Sequence, residues 1–306
     1  MTEPSREFFP RQAGVREFSG TALATISDCA PSGRARLDAL ARWQQDVAYA
    51  DIRDVGLESV AVWVVRRTRI RVNRWPRFGE ELRLTTFITG LGRMWAERRT
   101  DLWRVDSEGG NAGADTAASG ADTAATGADT ADAGADAGNA GVDARNAGAM
   151  DADQPRGRPD VEGMSLWVHL DPERRMPFPL TEAEITTYSG PEPQRRITAR
   201  LRHPAPPPAE QRQSSPWRFR ATECDLAEHV NNAAYWLPLE EELLQRRPST
   251  EDPPLPLDVE LEYRAPAQPG AMRWVADGPA RWIVGNDEAG ADEVHASFLL
   301  APQLRS

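Results

Sequence analysis

The 306-residue chain contains no lysine; all 36 of its cationic side chains are arginines. Chemistry that needs a lysine amine, whether a Schiff base or a P-loop phosphate clamp, is therefore excluded. Only two cysteines occur, Cys29 and Cys224. They are too few for a disulfide framework, so a reducing compartment is expected. No run approaches the roughly 18 apolar residues of a membrane span. Residues 1–14 lack the apolar core of a signal peptide. A cytoplasmic location is expected. Clustered cations of the kind that neutralise phosphates are also missing, which removes nucleic acid from the expected partners. The net charge of −11 is concentrated, because residues 110–153 hold eight Asp and one Arg.

Apolar residues make up 40% of the chain and charged residues 27%, an ordinary globular composition. The length suffices for two domains with cores of their own. A low-complexity stretch from about 107 to 160 repeats Ala, Gly, Asp and Thr almost verbatim, as in Gly120-Ala121-Asp122-Thr123 and Gly127-Ala128-Asp129-Thr130. It offers too few large apolar side chains to offset the entropy of ordering, and a disordered insertion is expected. Strand-like sequence flanks it, Trp95 to Trp103 before and Gly163 to Leu170 after, as in a β-hairpin with an inflated turn. Prolines cluster again between 189 and 215, which reads as an inter-domain connection with a short ordered piece around Ile197.

Two halves with one order of events remain. Each opens with a short strand, Val15 to Phe18 and Trp217 to Arg220. An acid–cysteine step follows, Asp28-Cys29 in one half and Cys224-Asp225 in the other. A helix comes next, from about Leu37 to Asp54 and from about Asn232 to Arg246, with apolar residues at helical spacing. Alternating strands then follow. In the first half Thr68, Ile70 and Val72 alternate with Arg67, Arg69 and Arg71, giving one buried and one basic face. The basic face reads as the wet side of a strand or as a docking surface for an acidic carrier protein. A helix followed by antiparallel strands, occurring twice, predicts an α+β tandem in which each helix is wrapped by its sheet. The expected domains are 14–180, with the insertion, and 214–303, joined by a Pro-rich connection over 181–213.

The stretch Asp225-Leu226-Ala227-Glu228-His229-Val230-Asn231-Asn232 carries the chemistry. It places a carboxylate and an imidazole four residues apart just before a helix, with asparagine available as N-cap. A thioester carbonyl there would meet an acid able to activate water and donors for its developing oxyanion. His169, His203 and His295 stand at no metal-ligand spacing from cysteines or carboxylate clusters, and neither metal nor cofactor is expected. Cys224 reads as a small packing residue. Trp63, Trp75, Trp95 and Trp103 read as core, with some able to line an acyl pocket.

The pattern Asp-x-x-x-His-Val-Asn-Asn-x-x-Tyr closely resembles the signature of hotdog thioesterases, including plant and bacterial acyl-acyl-carrier-protein thioesterases. Leu40 to Ala48, Trp63 to Arg67 and Arg74 to Glu80 are similar to that family's first helix, next strand and turn. The resemblance runs from about Arg16 to Pro302 without the insertion. It implies a double hotdog that hydrolyses fatty acyl thioesters carried by acyl carrier protein or coenzyme A, as a monomer or homodimer. Asp225 would match the essential carboxylate, activating water or attacking directly. His229 would match the active-site histidine, and Asn231 and Asn232 the pair that organises the start of the helix. Two positions depart from the pattern. Ala227 stands where many relatives have Asn, and Ala265-Pro266-Ala267 where plant enzymes carry a Glu-Cys pair. In the first half, Gly33-Arg34-Ala35 stand where the asparagines would be, so one active site per chain is expected. The rivals are a hydratase, a serine thioesterase and a non-catalytic acyl binder. The hydratase is disfavoured by the Asp–His spacing and the missing Asn-Pro. The serine thioesterase is disfavoured because Gly163-Met164-Ser165-Leu166-Trp167 lacks the closing Gly of a nucleophile elbow. The acyl binder is motivated by Ala227 and Pro266.

Overall fold

Alternation in the first strand already shows which way the sheet faces. In β1 (Glu17–Leu23) Phe18, Gly20 and Ala22 are buried while their neighbours are not. The computed structural model describes residues 7–58, 62–105, 157–171, 173–174, 176–192 and 195–301. Helix α1 (Leu37–Asp54) buries the periodic residues Leu37, Leu40, Trp43, Val47 and Ala48 against that face. It lies tight to the sheet, for a Cβ on Gly163 would come within 2.1 Å of Gln44 Oε1. Strands β2 (Val62–Val72), β3 (Glu81–Leu91), β4 (Trp95–Arg104) and β5 (Val161–Leu170) complete the first half. After helix α2 (Glu182–Tyr188) the pattern recurs. Strand β6 (Gln213–Phe219), helix α3 (Leu237–Gln245) and strands β7 (Leu257–Tyr263), β8 (Gly270–Asp277), β9 (Ala280–Asn286) and β10 (Asp292–Leu300) follow in the same order.

The ten strands of the described residues form one antiparallel sheet in the order β1-β3-β4-β5-β2-β7-β10-β9-β8-β6. The second five are the first five read backwards, so a pseudo-two-fold axis passes between β2 and β7. α1 and α3 pack together on one face, and a shared core of Leu40, Val47, Trp236, Leu239 and Phe298 fills the space beneath them. The result is an α+β tandem hotdog. No described helix is long and apolar enough to cross a membrane.

The predicted second helix starts late. Residues 234–236 form a 3-10 turn and the α-helix begins at Leu237, with Pro238 in its first turn, where a missing N–H costs nothing. Strands β4 and β5 pair from Trp95↔Val168 to Leu102↔Val161, so the inflated hairpin exists. Of the insertion between them, residues 106–156 lie outside the described residues. Its last residues are held: Asp160 receives Arg74 Nε and Nη2, both at 2.7 Å, and its carbonyl receives the Asn73 and Arg74 amides.

The arginine stripe of β2 is neither a wet face nor a free docking surface. Its register sets Arg67 opposite Glu262, Arg69 opposite Glu260 and Arg71 opposite Asp258, a charge ladder across the seam between halves. Arg69 holds Asp258 through two bonds of 2.7 and 2.6 Å, and Arg71 joins at 2.8 Å. Phe8 covers Arg69 and Arg71.

On the same side of the sheet, burial pushes the Asp101 carboxyl up to about 6 against the opposing pull of Arg99. The fold therefore favours its neutral form. That contribution is complete below the unfolded value near 4 and is lost as pH rises through about 6. Between pH 7 and 5 the protein is expected to gain roughly 1 kcal/mol from this group, the full contribution being reached only below the unfolded value. Asp101→Asn should remove the gain, and denaturant midpoints of both proteins at the two pH values check it.

Candidate active site

Strand β6 ends in a 3-10 turn, Ala221–Glu223, and the Asp225 loop follows. The loop is closed by its own backbone. Asp225 N donates to His229 O, Glu228 N to Asp225 O, and Asn231 N to Glu223 O. Closure this tight forces Glu228 to a φ of +62°, a left-handed conformation costly for a residue with a side chain. Such strain is typical of functional loops.

The Asp225 carboxylate is exposed but fixed. Its Oδ1 accepts the Ala227 amide at 2.9 Å and its Oδ2 accepts Asn231 Nδ2 at 3.1 Å. Asn231 in turn accepts the Ala233 amide at 2.8 Å, so one side chain caps the following turn and aims the carboxylate. His229 is half-buried, and its ring has no hydrogen-bond partner among the described residues. The side chain of Asn232 has none either. Its carbonyl accepts the Tyr263 hydroxyl at 3.0 Å, while its N–H finds no acceptor among the described residues. The loop thus brings Asp225 and Asn231 into contact, carries His229 between them in sequence, and leaves the Asn232 amide without an acceptor among the described residues.

The segment 265–267 backs this loop. Val230 N donates to Ala267 O, Ala267 N donates to Tyr235 Oη at 2.7 Å, and His295 Nδ1 lies 3.1 Å from Pro266 O. Burial pushes the Tyr235 hydroxyl up, with the charges of Asp225 and Glu293 adding to it. No acid stands on 265–267, but Glu293 lies close enough to share the field at Tyr235.

Leu226, fully exposed at 105% relative accessibility, lies at the mouth of a cavity of about 430 Å³. The cavity lies in the first half, between α1 and β2–β5. Ala48, Tyr49, Ile52, Trp63, Ile88 and Trp167 supply most of its wall. The residue that follows Asp225 in one half therefore borders an apolar chamber of the other. Of the tryptophans read as core or pocket, Trp75 is core and Trp63 lines the chamber. Trp95 ties β4 to the connection through Nε1 to Ile197 O at 3.0 Å.

The first half contains the same loop without its chemistry. Cys29 bridges Ala35 as Cys224 bridges Val230. Ala30 N donates to Arg34 O, Gly33 N to Ala30 O, and Arg36 N to Asp28 O, and Gly33 has the matching φ of +81°. Ala30 is thus the counterpart of Asp225, Arg34 of His229 and Arg36 of Asn231. This corrects two expectations. Asp28 corresponds to Glu223, not Asp225, since each caps its own 3-10 turn by accepting an amide at 2.9 Å, from Thr25 and Arg220. Arg36 and Leu37, not Gly33-Arg34-Ala35, stand in place of the asparagines. Arg34 is buried against Glu240 of α3, which also accepts the Leu37 amide at 3.0 Å and so caps α1. The spacing of 195 residues between the loops makes Gln45 the α1 counterpart of Glu240, and Gln45 lines the cavity.

His203 was expected to stand apart from any carboxylate cluster, yet the fold brings it to Glu260 and Glu262. Its ring nitrogens face Glu260 Oε1 at 3.1 Å and Ser297 at 3.1 and 3.2 Å. Arg264 and Arg67 stand 3.4 and 3.7 Å from the two carboxylates. With its charges already matched, the cluster serves to pin the connection, whose Arg202 and His203 amides donate to Glu262. Cys224 is half-buried in the turn before Asp225 and makes no hydrogen bond through sulfur among the described residues.

Residues 21–118 match the family described as the acyl-ACP thioesterase N-terminal domain. An uncharacterized protein of Mycobacterium tuberculosis is 25% identical over 285 residues, which span 92% of this chain and 90% of the relative. Among solved structures, an acyl-ACP thioesterase from Bacteroides thetaiotaomicron superposes with a TM-score of 0.59 at 15% identity. It covers 93% of this chain and 96% of its own. The 12:0-ACP thioesterase from Umbellularia californica gives 0.57 at 15% identity, covering 96% and 100%. The chain shares the tandem hotdog fold of these proteins.

Proposed function

We propose that the protein hydrolyses fatty acyl thioesters, releasing a free fatty acid and a thiol. The observation that carries this reading is the junction at Leu226, which borders an apolar cavity of pocket size one residue from a fixed carboxylate. An acyl chain in the cavity places its thioester carbonyl beside Asp225. Water held by the carboxylate attacks that carbonyl and gives its proton to Asp225. The free Asn232 amide and the His229 ring are the donors available to the oxyanion. Collapse breaks the C–S bond, and the proton passes from Asp225 to the departing sulfur. Asn231 acts by aiming Asp225.

Acyl carrier protein is the favoured carrier, supported by the family match over residues 21–118; acyl-CoA is the alternative. Purified protein incubated with acyl-carrier-protein, acyl-CoA and enoyl thioesters tests the reading through thiol release. Acyl binding without turnover of any thioester would make the protein a non-catalytic acyl binder, and hydration of enoyl substrates would make it a hydratase.

The chamber also predicts a length effect. Ala48 sits on its wall, one turn beyond Gln45. Ala48→Trp should fill the near half of the cavity and lower kcat/KM on long-chain thioesters about tenfold or more, with short-chain substrates retained. A chain-length profile of the two proteins checks it.

A further inference from the structure

The cavity is apolar along α1 but not at its distal end. Gln45, the counterpart of the residue that meets the first loop, and Leu226 line the same cavity. Ile52 lies seven residues further along the helix, about 10 Å away. Beyond it, α2 presents Glu184 and Tyr188 to the same cavity. Their spacing of four puts both on one face of that helix.

Tyr188 is buried, and its hydroxyl has no hydrogen-bond partner. Arg98 is its charged neighbour. The guanidinium stacks over the ring at 5.4 Å from the centroid and gives its Nη1 to Asp51 at 2.7 Å. Burial pushes this phenol up to about 12, so it remains a donor at every ordinary pH. Glu184 is also buried. Its Oε2 is taken by the Thr181 amide and hydroxyl at 2.8 and 2.7 Å. Its Oε1 has only His169 Nε2 at 3.4 Å, too long for a well-made bond. A residue with a donor lacking an acceptor and one with a carboxylate oxygen open to a donor thus stand on one helix face in the wall of one apolar chamber. An orphaned buried polar group costs stability unless something satisfies it. A methyl-ended chain satisfies neither, whereas a single hydroxyl satisfies both.

We propose that the distal end of the cavity reads a hydroxyl on the acyl chain, Tyr188 donating to its oxygen and Glu184 accepting its hydrogen. The preferred substrates are then acyl thioesters hydroxylated near the far end of the chain. The inference rests on the acyl-thioester reading of the site. Matched pairs of plain and terminally hydroxylated acyl thioesters, over a range of lengths, test it on wild type and Tyr188→Phe. Wild type should prefer the hydroxylated member about tenfold or more at the best length. The variant loses only an unpartnered hydroxyl, so it should fold, and its ratio of kcat/KM on hydroxylated over plain chains should fall to about one. A wild-type preference for plain chains, or a ratio untouched by Tyr188→Phe, would overturn the proposal. If no thioester is hydrolysed, the activity reading fails on its own. Calorimetric titration with plain and hydroxylated free acids then decides, and equal affinities in both proteins would sink the hydroxyl site.

Discussion

Asp225→Asn is expected to lower kcat for thioester hydrolysis about 10³-fold, the range seen when a positioned general base is removed. The substitution is nearly isosteric, and the oxygen that accepts Ala227 N can persist. The side chain is exposed, so the unfolding midpoint should move little, within about 0.5 kcal/mol. An intact fold with lost turnover separates a chemical role from a structural one. Free thiol release and a denaturation curve on one preparation check both halves. More than a tenth of the wild-type rate in the variant would remove Asp225 from the mechanism. In that case Glu293, which shares the field at Tyr235 with Asp225, becomes the carboxylate to substitute next.

What could be read from the sequence follows from how local each feature is. Helix α1 was legible to the residue because its apolar period and its boundaries lie within one segment. The Asp225 loop was legible because Asp225, His229 and Asn231 fall within seven consecutive positions. Long-range pairings were not. The arginines of β2 look solvent-facing until β7, some 190 residues later, supplies Asp258, Glu260 and Glu262 in register. His203 meets its two glutamates by the same kind of pairing. Helix α2 did carry a local signal: Thr181 and Glu184 form a capping box, hidden among the prolines that follow.

The repeat itself was misaligned by composition. Matching Asp28-Cys29 to Cys224-Asp225 gave the first half a spare acid. Backbone bonds align the cysteines instead and leave Ala30 where the carboxylate would be. The hotdog tandem therefore places one loop with a carboxylate and one silent loop without it about its pseudo-two-fold axis. The loop with the carboxylate borders, through Leu226, a cavity in the opposite half. The silent loop faces α3, where Arg34 and Glu240 fill the corresponding space.

That filling predicts the largest stability effect in the molecule. Arg34 and Glu240 are 1% and 2% exposed, joined by bonds of 2.5 and 3.2 Å, with the guanidinium 4.5 Å from the Trp75 ring centroid. Arg34→Met leaves the Glu240 carboxylate buried without its cation, and the expected cost is about 3–5 kcal/mol. Replacing both partners, Arg34→Met with Glu240→Met, removes the stranded charge and should recover most of that loss. The recovery will not be complete, because Glu240 also caps α1 through Leu37 N, and a lost cap costs about 1 kcal/mol. Urea denaturation of the three proteins measures the ordering: wild type above the double variant, and the double variant above Arg34→Met. Since Arg34 stands on the first-half loop and is not among the cavity's lining residues, kcat/KM of whatever fraction of Arg34→Met stays folded should be unchanged within about twofold. A single variant that costs under about 1 kcal/mol, or folded protein that loses turnover, would show that Arg34 is not the structural plug its burial implies.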